Sequence, residues 1–187
     1  RDIIISVIAL SLALSIAYQG RDVVTAPKTL IFFISFFAVT VGLGFVLHEL
    51  AHKFVAMRFG AYAEFRMWPQ GLFLALLCSW VFGFVFAAPG AVYIFAQRIS
   101  KTENGLISAA GPMTNLALFF LFIGLGIIYP VSLVGITNIW GFAATINLSL
   151  GAFNMLPIFP LDGSKIWGWS KVIWGAMAAL FLFLMFF

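Results

Sequence analysis

The chain contains 187 residues, of which 64% are hydrophobic and only 9% are charged. A soluble domain of this length carries roughly a quarter charged residues, so the composition excludes an ordinary soluble protein and indicates an integral membrane protein. The formal net charge is +4, but the ten basic residues are spread along the chain, so no nucleic-acid partner is expected. The single cysteine, Cys78, excludes an intramolecular disulfide and a cysteine zinc site.

Six apolar segments are candidate membrane spans, because a spanning helix needs roughly 20 apolar residues. They cover residues 3–19, 29–52, 71–88, 105–129, 131–153 and 172–187. The first segment could be a signal peptide, but it lacks a clear small-x-small cleavage site, so we expect a retained helix. Asn104 is the predicted N-cap of the fourth segment, and Pro130 separates the fourth segment from the fifth.

Two short strands are expected between the apolar segments. Residues 61–67 alternate in polarity, and residues 91–95 follow the turn residues Pro89 and Gly90. Glu64 and Arg66 are expected to form an ion pair at the edge of the first strand. We therefore predict an all-α polytopic membrane protein with five to six transmembrane segments. A small membrane-associated β element follows the second segment, and residues 1–187 form one domain.

The third segment, residues 71–88, can either span or re-enter, since non-helical backbone at membrane depth is tolerated where protein or a wet cavity covers it. A re-entrant segment puts eight of the ten basic residues on one side, whereas six spans divide them four to six. The eight are Arg1, Lys53, Arg58, Arg66, Arg98, Lys101, Lys165 and Lys171. The positive-inside rule therefore favours five spans with a re-entrant element, and it makes the basic face cytoplasmic.

Both histidines of the chain fall in the pentapeptide H-E-L-A-H at residues 48–52. A spacing of four residues puts His48 and His52 on one face of a helix, where two imidazoles can bind zinc. Glu49 lies between them and is the candidate general base: it takes a proton from the zinc-bound water and later passes it to the leaving amine. The flanking residues are apolar, so this hydrolytic pattern lies inside a membrane segment.

A catalytic zinc takes three protein ligands and keeps a position for water, so one more ligand is needed. The other carboxylates of the chain are Asp2, Asp22, Glu64, Glu103 and Asp162. Asp162 has the most unusual setting, because Pro157 and Pro160 break the preceding helix and Gly163 permits a tight turn. A carboxylate at membrane depth is costly and by default marks function.

Three asparagines in apolar segments are further candidates. Asn115 follows Gly111, which permits close helix approach, and it could bind a substrate backbone or the developing oxyanion. Interhelical hydrogen bonding is the alternative for Asn115. Asn154 could also contact substrate, or it could cap the broken backbone that follows. Asn147 is expected to pack between helices.

Three motifs in order, H-E-L-A-H (48–52), G-P-M-T-N (111–115) and N-M-L-P-I-F-P-L-D-G (154–163), make the chain resemble the site-2 protease family of intramembrane zinc metalloproteases. The resemblance extends over roughly residues 40–170. It implies one zinc ion held by His48, His52 and Asp162, with Glu49 catalytic. By matching position, Asn115 and Asn154 are the family's polar residues near the site.

The resemblance also implies the substrates and the location. The expected substrates are single-span membrane proteins, cleaved in or near their transmembrane segment within the lipid bilayer. The expected location is the cell membrane, with the active site nearer the cytoplasmic side. The chain departs from a minimal member in the long stretch between its first two motifs, and it contains no PDZ-like domain, so substrate selection and oligomeric state are not predicted.

A non-catalytic membrane protein that retained the fold is the alternative, either a divalent-metal transporter or an inactive adaptor. A transporter needs polar residues spaced along a path through several helices. This sequence concentrates its polar residues at one depth, which favours the protease.

Overall fold

The computed structural model describes residues 1–24, 26–85, 89–96, 98–132, 136 and 138–186. Within these residues the chain is mainly helical. The helices are α1 (Asp2–Gln19), α2 (Pro27–Phe37), α3 (Leu43–Arg58), α4 (Pro69–Phe82), α5 (Lys101–Ile128), α6 (Ile139–Asn154), α7 (Asp162–Trp169) and α8 (Lys171–Phe186). The strands are β1 (Tyr62–Met67) and β2 (Gly90–Phe95). A 3-10 helix (Gly20–Val23) follows α1, and a π-helix (Ala38–Gly42) joins α2 to α3.

Three helical stretches of the described chain have the length and apolar composition needed to cross a bilayer. They are Asp2–Gln19, the continuous run Pro27–Arg58, and Lys101–Ile128. These stretches correspond to the first, second and fourth predicted segments. The protein is therefore a largely helical membrane protein, as its composition predicts, while the fifth and sixth spans stay predictions.

The third predicted segment forms a shorter helix than its apolar sequence suggests. Helix α4 has 14 residues and ends at Gly83, whose φ of 70° places it in the left-handed region. Glycine adopts this conformation without steric cost and commonly terminates helices. At 1.5 Å per residue, α4 is about 21 Å long, less than the roughly 30 Å of a bilayer core. Residues 86–88 of the predicted segment lie outside the described residues.

Helices α5 and α6, which correspond to the fourth and fifth predicted segments, begin at different residues from those predicted. Their first residues are set by the side chains that cap them. The predicted N-cap Asn104 is wrong: α5 starts after Ser100, whose Oγ accepts from the Glu103 N–H at 3.2 Å. The Glu103 carboxylate accepts from the Ser100 N–H at 2.7 Å, which completes a capping box. Helix α6 starts only after Asn138, whose side-chain oxygen accepts two backbone N–H groups at 3.1 Å.

The two predicted strands are confirmed and form one two-stranded sheet. They run antiparallel: Trp68 N donates to Pro89 O at 3.1 Å beyond one end, and the rings of Tyr62 and Phe95 lie 6.0 Å apart at the other. The predicted pair of Glu64 with Arg66 is also confirmed, at 3.7 Å between Oε2 and Nη2. Both side chains are about half exposed, so this pair contributes little to stability.

The described chain divides into two compact units. The first comprises Arg1–Val46 and Glu64–Tyr93. In it α1 packs against α2 and α4, and the buried Ser6 Oγ donates to Pro89 O at 3.1 Å. That residues 1–187 act as one domain stays a prediction.

The second unit comprises Leu47–Ala63 and Ile94–Phe187. Helix α5 packs against α6 and α7, and α8 covers α6 and α7. Its core contains the buried side chains Leu116, Leu148, Met155, Ile166 and Phe181. All three sequence motifs lie in this unit, so the fold of the second unit alone positions the candidate site.

Candidate metal centre

Helices α3, α5 and α7 of the second unit bring the predicted site residues together. Helix α3 carries His48, Glu49 and His52, which are 5%, 7% and 7% exposed, and Asp162 at the start of α7 is 7% exposed. Burying polar groups is costly unless they have partners. Their contacts with one another therefore decide what this cluster can do.

Three ligand atoms converge on one point. His48 Nε2 lies 3.2 Å from Asp162 Oδ2, His52 Nε2 lies 3.0 Å from the same oxygen, and the two Nε2 atoms are 3.1 Å apart. Ligands bound at about 2.0–2.1 Å to a tetrahedral zinc ion lie about 3.3 Å from one another. Among the described residues, this is the group of His and acidic side chains whose atoms could hold a metal ion.

The opposite nitrogen of each ring prepares it for metal binding. His48 Nδ1 lies 2.5 Å from Asn115 Oδ1, and His52 Nδ1 lies 2.7 Å from the carbonyl oxygen of Ile107. Because amide and peptide oxygens only accept hydrogen bonds, both rings donate from Nδ1. The lone pair of each Nε2 then faces the shared point, which is the arrangement that outer partners impose on histidine ligands.

The close approach of α5 to the two rings requires a glycine. A Cβ added at Gly111 would overlap Nε2 of both His48 and His52. The close approach that Gly111 permits is therefore made here by the two imidazole side chains of α3.

A tight turn positions Asp162, the third candidate ligand. A Cβ on Gly163 would overlap the backbone of Met155 and Leu156, so the chain doubles back here as the sequence predicts. Asp162 directs Oδ2 toward the histidines, while its Oδ1 lies 3.5 Å from Lys165 Nζ. The sequence does not single out Lys165 from the other basic residues, although the i, i+3 spacing of this pair on a helix is a signal that could have identified it.

Two predicted site residues remain, Glu49 and Asn154. Glu49 is buried on α3 between the two histidines, and its role as the base stays a prediction. The Asn154 side chain donates from Nδ2 to Leu150 O at 3.0 Å, within its own helix α6. The predicted contact of Asn154 with substrate is not tested by this geometry.

Asn147 packs between helices α5 and α6 as predicted, but its connection to the candidate site through Asn115 is not among the predictions. Asn115 Nδ2 donates to Asn147 Oδ1 at 3.1 Å, and Asn147 Nδ2 donates to Ala143 O at 2.9 Å. Asn115 and Asn147 are both 0% exposed. The available signal was a second amide side chain inside an apolar segment, where polar groups seek each other.

Comparison with known proteins finds a consistent set of relatives. The model of peptidase family M50 matches residues 129–175. A candidate zinc metalloprotease of Methanocaldococcus jannaschii is 46% identical over 174 residues, which cover 92% of this chain and 85% of the relative. A candidate zinc metalloprotease of Bacillus subtilis is 32% identical over 151 residues, covering 70% of this chain and 67% of the relative.

A third relative, a candidate zinc metalloprotease of Mycobacterium tuberculosis, is 36% identical over 126 residues, covering 64% of this chain and 26% of the relative. No solved structure matches the chain significantly. The similarity to the archaeal relative extends over nearly the whole chain, and the His-His-Asp group suits the metal that the relatives' names specify. The chain therefore belongs to peptidase family M50, the site-2 protease family, and is a membrane-bound zinc metalloprotease.

Proposed function

We propose that the protein is an intramembrane endopeptidase whose zinc ion is held by His48, His52 and Asp162. The observation that carries the proposal is the convergence of the three ligand atoms within 4.8 Å of one another. Both histidines belong to the apolar run Pro27–Arg58, whose length and composition suit a membrane span. A hydrolytic site on such a helix is suited to peptide bonds that lie in or near a bilayer.

Glu49 is the proposed general base and acid. When bound, zinc lowers the pKa of water and polarises a carbonyl as a Lewis acid. Glu49 takes the proton of the attacking water as the water oxygen bonds to the carbonyl carbon, and it delivers that proton to the amide nitrogen as the C–N bond breaks. The burial of Glu49 beside the histidines excludes bulk water from this transfer.

The proposed substrates are single-span membrane proteins. Because two of the proposed ligands, His48 and His52, belong to an apolar helix, a substrate that is itself apolar can reach them from within the bilayer. Of the two asparagines predicted to contact substrate, we retain Asn154 in this proposal, since its bond to the Leu150 carbonyl uses the amide nitrogen. Asn115 uses both ends of its amide inside the protein.

The proposed location is the cell membrane, with the active site nearer the cytoplasmic face. The support is the distribution of basic residues, eight of which share one side when residues 71–88 re-enter. Among them are Lys53, next to His52, and Lys165, which pairs with the candidate ligand Asp162.

The test compares wild type with Glu49→Gln in proteoliposomes that contain a model single-span substrate. Glu49→Gln should bind one zinc per chain and lose at least about 100-fold in cleavage rate, since general base catalysis contributes roughly 10²–10⁴-fold. The His48→Ala variant should lose the metal as well. Cleavage by Glu49→Gln at the wild-type rate would refute the assigned mechanism, and cleavage of only soluble peptides would refute the intramembrane substrate.

A further inference from the structure

Two buried asparagines join helices α6, α5 and α3 in one chain of hydrogen bonds. His48 Nδ1 meets Asn115 Oδ1 at 2.5 Å, and Asn115 Nδ2 donates to Asn147 Oδ1 at 3.1 Å. Asn147 Nδ2 then donates to the Ala143 carbonyl at 2.9 Å, one turn earlier on α6. Asn115 and Asn147 are 0% exposed, so water does not compete for these bonds.

The Ala143 carbonyl determines which group donates and which accepts in each hydrogen bond of this series. The Ala143 carbonyl can only accept, so Asn147 must turn its NH2 group toward it and its Oδ1 toward α5. That oxygen can only accept from Asn115, which places the Asn115 NH2 group on α6 and its Oδ1 on His48. His48 must therefore donate from Nδ1, and its Nε2 lone pair faces His52 and Asp162.

We propose that Asn147 is a positioning residue of the metal centre. It acts through Asn115 by fixing the tautomer and ring orientation of His48. The inference rests on the proposed function, in which His48 is a zinc ligand. Asn147 touches neither ligand nor substrate in this role, and its part is to exclude the alternative orientation of the Asn115 amide.

Loss of Asn147 has a specific consequence beyond a gap in the core. Without an acceptor on α6, the Asn115 amide can rotate by half a turn and present its NH2 group to His48 Nδ1. The ring must then carry its proton on Nε2, where it blocks metal binding. Outer partners of metal-binding histidines typically change metal affinity 10- to 100-fold. We expect Asn147→Leu to weaken zinc binding about tenfold, because Asn115 can still adopt the productive orientation part of the time.

The first experiment reads the tautomer directly. The chain has only two histidines, so ¹⁵N-histidine labelling gives two imidazoles, and His48 is assigned from the spectrum of a His48→Gln variant. In metal-free wild type, Nδ1 of His48 should carry a proton, because it faces the Asn115 amide oxygen. In Asn147→Leu a substantial fraction should carry it on Nε2. A wild-type His48 that carries a proton on Nε2 but none on Nδ1 overturns the proposal, and this measurement needs no variant of Asn147 to fold.

The second experiment measures zinc affinity by competition with a chelator. Asn147→Leu should bind about tenfold more weakly, and in an Asn115→Ala background the same change should add less than twofold, because Asn147 acts only through Asn115. Ser149→Ala is the matched control: Ser149 lies on the same helix and also donates to a carbonyl four residues earlier, but it is exposed. It should bind zinc as wild type does. Losses of zinc affinity that add up in the double variant would contradict the proposal that Asn147 acts through Asn115.

The outcomes also separate this inference from the proposed function. If His48→Ala keeps its zinc, His48 is not a ligand and the proposed function fails with the inference. If His48→Ala loses zinc while Asn147→Leu binds as tightly as wild type, only the inference fails. Thermal unfolding of each variant shows whether a loss of zinc affinity reflects unfolding. The proposal predicts that the Asn147→Leu protein is folded and binds zinc more weakly.

Discussion

At the scale of residues, each candidate ligand uses one atom toward the metal point and a second atom toward the protein. His48 and His52 donate from Nδ1 to oxygens on α5, and Asp162 places its second oxygen near Lys165. The second contacts cost no metal-binding capacity, because they occupy atoms that point away from the site. They restrict the side chains before any metal arrives, which is what a preorganised site requires.

Substitution of Asp162 should lower the zinc affinity far more than substitution of its ion-pair partner Lys165. Asp162→Ala removes a proposed ligand that is buried, so zinc affinity should fall at least about 100-fold, at or beyond the upper end of the range for outer partners. Lys165→Met should change the affinity only a few-fold, because Lys165 is 37% exposed and such ion pairs contribute about 0–1 kcal/mol. Metal content after dialysis and chelator competition measure both. Unchanged zinc in Asp162→Ala would remove Asp162 from the ligand set.

At the scale of elements, α5 is the helix that both histidines contact. His52 hydrogen-bonds to the Ile107 carbonyl of α5, and His48 hydrogen-bonds to the Asn115 side chain. Gly111 lies between these two positions and leaves room for both rings. These three positions are four residues apart, so they share one face of the helix. A small displacement of α5 would therefore disturb both histidines together.

Gly111→Ala tests this dependence on close packing. The new methyl group overlaps both imidazoles, so α5 or the rings must shift, and we expect a loss of about 1–3 kcal/mol in stability together with weaker zinc binding. Gly124→Ala is the control on the same helix, since nothing lies within 4 Å of its added Cβ. It should be neutral or stabilising, because alanine favours helix by about 1 kcal/mol over glycine. Thermal unfolding with and without zinc distinguishes the two, and equal behaviour would argue against the close approach.

The sequence predicts the site better than it predicts the ends of the elements. His48, His52, Asp162 and Gly111 could be found because spacing, charge and chain turns carry strong signals in an apolar sequence. Helix ends could not be read from apolarity: α4 stops at Gly83 although apolar residues continue beyond it. The contact of Asn147 could not be predicted from its own segment, because its partner Asn115 lies 32 positions away, on another helix.

At the scale of the whole molecule, the metal centre constrains how the chain crosses the membrane. His52 lies near the end of α3 and Asp162 at the start of α7, and their ligand atoms are 3.0 Å apart. Arg58 follows His52 by six residues, and Lys171 follows Asp162 by nine. This proximity supports an arrangement in which the end of α3 and the start of α8 face the same side. Five spans with a re-entrant segment at residues 71–88 meet that condition, whereas six spans place Arg58 and Lys171 on opposite sides.

Cysteine labelling in sealed vesicles decides between the two arrangements. With Cys78 replaced by alanine, single cysteines at Arg58, Lys171 and Lys28 offer three exposed positions to a membrane-impermeant thiol reagent. We expect Arg58→Cys and Lys171→Cys to react from one side and Lys28→Cys from the other, since Lys28 and Arg58 lie at opposite ends of the candidate span Pro27–Arg58. Labelling of Lys171→Cys from the Lys28 side would establish six spans instead. The reactive side of Arg58→Cys in vesicles of known orientation then tests whether the metal centre opens toward the cytoplasm, as the charge distribution predicts.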